Sequence, residues 1–78
     1  MTTPRITLYG TSDCPHCRQA KQSLERRGLK FQVLDVRRNA RAQKAFARLD
    51  ARSVPVILVG ETRVDGFDKR RLDALLRP

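Results

Sequence analysis

Two cysteines three positions apart, Cys14 and Cys17, are the only cysteines in the chain, and the only histidine, His16, lies between them beside Pro15. Thiols at this spacing can close a disulfide or open to a dithiol. The nucleophile in such exchange is the thiolate, which a neighbouring cation or a helix N-terminus favours. As a covalent staple the pair would do little, because the loop it closes is tiny and removes little unfolded-state entropy. A structural zinc site needs about four ligands. Cys14, His16 and Cys17 are all that is on offer, so no metal site is expected within one chain. An iron–sulfur cluster bridged between two chains stays open as a non-enzymatic alternative, although Pro15 stiffens the loop. The pair therefore reads as a redox centre.

The elements that must present it follow from local patterning. Arg5 to Tyr9 is short, apolar and β-branched enough for a buried strand. Gly10 to Asp13 is the turn after it. Pro15 suits a first helical position, where its missing N–H needs no partner, and that makes Cys14 the N-cap. Cys17, Ala20 and Leu24 then share one face of a helix that ends at Gly28. At the N-cap, Cys14 meets unpaired N–H groups and the positive end of the helix dipole, which favour an anion. His16, when protonated, adds positive charge. Cys14 is thus expected to be the exposed attacker, and Cys17, one turn in on the buried stripe, the resolving thiol.

Phe31 to Val36 is a second strand, which closes a βαβ unit with parallel strands and a right-handed crossover. Asn39 caps a second helix whose buried stripe is Ala42, Ala45, Phe46 and Leu49. Val54 to Val59 is the most apolar run, with Pro55 held to its start because proline cannot donate within a ladder. Gly60-Glu61 is a two-residue hairpin turn and Thr62 to Val64 the returning edge strand. Asp65-Gly66 breaks it. Asp68 caps a last helix with Leu72, Leu75 and Leu76 inward. Tyr9, Phe31 and Phe46 are taken as core. The expected fold class is α/β, thioredoxin-like, in the order β-α-β-α-β-β-α, with a four-stranded mixed sheet and three helices in one domain spanning residues 1–78.

The net charge of +9 favours acidic partners. The basic residues are dispersed from Arg18 to Arg71, so a solvated Arg-rich surface is preferred to a dedicated nucleic-acid site. The start, Met1 to Arg5, lacks a secretory pattern, and no run is long enough for a membrane span. A cytoplasmic monomer is expected, where a C-x-x-C pair is redox-active or metal-binding rather than a persistent bridge.

Cys14-Pro15-His16-Cys17, Arg52-Ser53-Val54-Pro55-Val56 and Val64-Asp65-Gly66-Phe67-Asp68 occur in the order and spacing of the glutaredoxin family, which the chain resembles over nearly its whole length. The resemblance implies a thiol–disulfide oxidoreductase acting on protein disulfides or glutathione mixed disulfides, with no bound cofactor and with glutathione as a co-substrate. It implies a cis bond before Pro55, leaving the Val54 backbone to pair with substrate. It places the γ-glutamyl carboxylate of glutathione at Gly66, Phe67 and Asp68, and the glycyl carboxylate near Arg52. The chain departs from the family at Thr11, where a lysine is common, at His16, where the usual motif has an aromatic, and at Asp65 and Lys69 in the Gly-Gly-x-Asp-Asp corner. The Gly-Phe-Asp corner is also similar to glutaredoxin-like donors reduced by thioredoxin reductase. Electrons would then come from glutathione or from a flavoprotein of that type.

Overall fold

A computed structural model describes residues 5–76. The expectation that the start lacks a secretory pattern falls, at Met1 to Pro4, outside the described residues. The elements run β1 (Ile6–Gly10), α1 (Pro15–Arg26), β2 (Gln32–Asp35), α2 (Ala40–Arg48), β3 (Val56–Val59), β4 (Thr62–Asp65) and α3 (Lys69–Leu76). The strands form one mixed sheet in the order β2-β1-β3-β4. β1 and β2 are parallel, with Leu8 opposite Val33 and Gly10 opposite Asp35. β3 runs antiparallel to both β1 and β4. This is the expected architecture, with shifted ends. Gly10, assigned to a turn, is the last residue of β1. Pro55, assigned to the start of β3, lies just before it, which is the consequence of a residue with no N–H to give to the ladder. Phe31 and Val36 fall outside β2, and Asp65 extends β4.

Alternation along the strands sorts two faces. Ile6, Leu8, Ile57, Val59 and Val64 form one core with Ala20 and Leu24 of α1 and Leu72 of α3. Phe31, Phe67, Leu75 and Leu76 are partly buried against it. Phe31 and Phe67 thus cover the core's margin rather than fill it. The opposite face receives α2, where Tyr9 and Phe46 meet at 6.1 Å between ring centroids. Only Ala42 of the α2 stripe is fully buried, because this helix covers the sheet as an outer layer.

Local chemistry sets the helix ends. The Asn39 side chain accepts hydrogen bonds from the Arg41 and Ala42 N–H groups, and Asp68 accepts from Arg71 N–H at 3.1 Å. Each such cap is worth about 1 kcal/mol. Gly28 has φ +70°, the left-handed turn that ends α1 and that glycine adopts without penalty. Gly60, at φ +61°, is the first of the two loop residues between Val59 and Thr62, as a glycine-first hairpin turn requires. Arg27 pairs with Asp73, tying the end of α1 to α3. Arg63 pairs with Asp65 and reaches the Leu49 carbonyl, closing the end of α2 over β4.

Candidate functional site

Parallel and antiparallel pairing bring four distant segments to one end of the sheet. β1 and β2 both end there, so the loop 11–14 and the turn 36–39 are neighbours. Tyr9 pairs with Val56, which puts the start of β3 and the Val54–Pro55 bond beside them. Val56 also pairs with Asp65, and Gly66 N–H donates to the Pro55 carbonyl at 2.8 Å. The corner Gly66, Phe67 and Asp68 therefore continues the same surface. The Val54–Pro55 bond is cis, and Pro55 is buried. Arg52 is exposed in the bend that leads to it.

Cys14 sits at the N-cap in an extended conformation, and its sulfur accepts a hydrogen bond from Cys17 N–H at 3.3 Å. A sulfur in this position takes the place of the oxygen in an ordinary cap, and an N–H bond to it is stronger when the sulfur is charged. The Cys14 sulfur also lies 4.0 Å from the Val54 carbonyl oxygen, 40 residues away in sequence. Pro15 occupies the first helical position, and His16 is exposed beside it. Both cysteines are free, Cys14 half-buried and Cys17 buried.

Cys17 is 5 % exposed. Burial, followed by its hydrogen bond with Cys14, pushes its thiol up to about 11 from an ordinary 9.0. A buried thiol resists ionisation because the thiolate loses its hydration. The two sulfurs thus differ in access and environment although they are one helical turn apart. The native state holds the Cys17 proton more tightly than the unfolded chain does. Its contribution to stability is therefore complete below pH 9 and is lost as pH rises toward 11. Thermal melts of the reduced protein across that window should show a loss that Cys17→Ala lacks; parallel curves would contradict the burial.

Two residues that sequence reasoning left out shape the site. A Cβ placed on Gly10 would lie 2.8 Å from the Cys17 sulfur and 3.1 Å from its Cβ. The bare backbone of Gly10 is what gives Cys17 room beneath the loop. Its carbonyl meanwhile accepts from Val36 N–H at 3.0 Å, joining the redox loop to the β2–α2 turn. The second residue is Arg37, whose guanidinium is 2.7 Å from Asp13. A hydrogen bond from Thr11, and then Arg37, holds the Asp13 carboxyl below the usual carboxylate range. Gly10 had no signal beyond following a strand, and Arg37 was one basic residue among 17. Among the described residues no group of three or more histidine, cysteine or acidic side chains is gathered as a metal site. None of their helices is long and apolar enough to cross a membrane.

The sequence profile of the glutaredoxin family matches residues 6–64. A glutaredoxin of Pseudomonas aeruginosa is 39% identical over 82 residues, covering 94% of this chain and 96% of its own. The glutaredoxin-like protein NrdH of Escherichia coli is 35% identical over 63 residues, covering 81% of this chain and 78% of its own. The structure of NrdH-redoxin from Escherichia coli, described as having a thioredoxin-like activity profile, superposes with a TM-score of 0.83 at 32% identity, over 95% of this chain and 96% of that one.

Proposed function

Because the chain belongs to the glutaredoxin family, we propose that its paired thiols reduce disulfides of proteins, or mixed disulfides with glutathione, in the cytoplasm. The observation that carries this reading is the inequality of the two sulfurs. Cys14 is half-exposed and accepts a helix N–H, whereas Cys17 is buried directly beneath. The Cys14 thiolate attacks one sulfur of a substrate disulfide. The S–S bond breaks, the second substrate sulfur leaves as a thiolate, and a mixed disulfide forms on Cys14. Cys17 then gives up its proton and attacks the Cys14 sulfur. The substrate's remaining sulfur leaves as a thiolate, and the protein is left with a Cys14–Cys17 disulfide. Two electrons have passed to the substrate, and an external dithiol or two thiols must restore the pair. Pro15 fixes the loop and His16 supplies charge when protonated. Val54, next to Pro55, offers backbone to an extended substrate. Where glutathione is the partner, Arg52 and the Gly66, Phe67, Asp68 corner receive its carboxylates.

A second reading concerns the source of electrons. Thr11, Asp65 and Lys69 depart from the residues that hold glutathione in the family, and the Asp68 carboxylate already serves Arg71 N–H. These features favour a flavoprotein of the thioredoxin reductase type, in keeping with the activity profile stated for the Escherichia coli redoxin. NADPH consumption with a disulfide substrate decides it. The expected result is turnover with thioredoxin reductase and little with glutathione plus its reductase. The reverse would assign glutathione as the donor. Turnover with neither system, together with a coloured cluster-bearing dimer from anaerobic purification, would replace the oxidoreductase by a cluster carrier.

A further inference from the structure

The flank of the redox loop carries a feature that thiol exchange leaves unused. Between α1 and the outer strand β2 lies a recess of about 320 Å³, walled by Leu8, Gly10, Cys17 and Val33, with Arg18 and Lys21 on its rim. Val33 is 46% exposed, the one large hydrophobic side chain so placed among the described residues. It pairs with Leu8 and so faces the same side of the sheet. Arg18 and Lys21 stand three apart on one face of α1. Both are exposed, and neither joins a salt bridge among the described residues. Asp35 is the one acidic side chain lining the recess, and its carboxylate accepts from the Arg37 and Arg38 backbone N–H groups. The recess is thus apolar inside and positive at its mouth. Thr11 and Ser12 also line it, and the chain runs from them through Asp13 to Cys14.

We propose that this recess docks an acidic, apolar segment of the target protein beside the disulfide being reduced. An apolar side chain lies against Val33 and Leu8, and neighbouring carboxylates face Arg18 and Lys21. The proposal rests on the oxidoreductase reading and adds the class of protein substrate. A polypeptide fits better than nucleic acid, because no lining residue is aromatic and a base would find no ring to stack on. The concave shape and single exposed valine likewise present no apolar face to a membrane.

Peptide disulfides test it. The symmetrical disulfides of Leu-Glu-Glu-Cys, Leu-Lys-Lys-Cys and Ser-Glu-Glu-Cys are compared as substrates at low and high salt. The acidic leucine peptide is expected to have a kcat/KM at least about fivefold above either alternative, with the advantage over the basic peptide shrinking in high salt. Lys21→Glu should bring that advantage near unity, Lys21→Arg should keep it, and Val33→Thr should remove the advantage of leucine over serine. Equal use of the three peptides by the native protein, or an advantage untouched by Lys21→Glu, overturns the proposal. A cysteine-free peptide, Leu-Glu-Glu-Ser, separates docking from chemistry. Its titration into the isotope-labelled native protein should shift the amide signals of Thr11, Ser12 and Val33. Shifts without turnover would keep the docking surface and refute the oxidoreductase reading. Turnover with no shift at these amides would do the opposite.

Discussion

Replacing Cys14 by serine is expected to lower disulfide turnover by about three orders of magnitude or more, because a hydroxyl stays protonated at neutral pH and is a far weaker nucleophile. Replacing Cys17 by serine is expected to leave the first attack intact and stop the second. The variant should then accumulate as a mixed disulfide on Cys14, visible as a gain in intact mass that a reductant reverses. The asymmetry comes from geometry. Cys14 caps the helix and meets Cys17 N–H at 3.3 Å, while Cys17 is sealed under the loop. Adducts trapped in Cys14→Ser instead, with Cys17→Ser forming none, would exchange the two roles.

Gly10→Ala should disturb the site without replacing either sulfur. The new methyl would sit 2.8 Å from the Cys17 sulfur and 3.1 Å from its Cβ. Turning the side chain moves the sulfur but not the Cβ, which is fixed to α1. Either the helix start or the end of β1 must yield, and overpacking of this kind costs about 1–3 kcal/mol. Denaturant unfolding of the reduced protein reads that loss. In a Cys17→Ala background the loss should be smaller, since the closer contact is gone, and the difference is the coupling between the two positions. Release of a mixed disulfide should also slow, because the resolving sulfur no longer rests against Gly10. Unchanged stability and unchanged release would show that the contact does not hold Cys17 in place.

The parts of this molecule legible in the sequence are those governed by near neighbours. Pro15 after a thiol, Asn39 before an alanine-rich run, Gly60 first in a two-residue loop and Asp68 before a leucine stripe each act within one turn of chain. Each lies where local chemistry places it. The stripe of Cys17, Ala20 and Leu24 is buried as its spacing implies. Pairwise facts across the fold were not legible. Nothing about Gly10 in isolation says that a sulfur seven residues on will lie against it. Arg37 gains its meaning from Asp13, across the junction of two loops. Val33 looks like any strand valine until the sheet order leaves β2 at an edge that α1 only partly covers. Strand ends moved for the same reason, since they depend on which partner carbonyls and N–H groups are within reach.

The convergence of four loops at one end of the sheet has a consequence for how such a protein is made. Both cysteines and the βαβ unit that frames them lie within residues 6–35, which leave a ribosome before residues 52–66 do. The Val54 carbonyl, Arg52 and the corner at Gly66 arrive only later. A nascent or truncated chain would therefore own a reactive dithiol, with the recess beside it, before it owned the Val54 backbone and the corner at Gly66. Completion of the hairpin β3–β4 and docking of α3 would add these later surfaces to the dithiol, so a change in thiol exchange on their arrival would serve as a readout of finished folding.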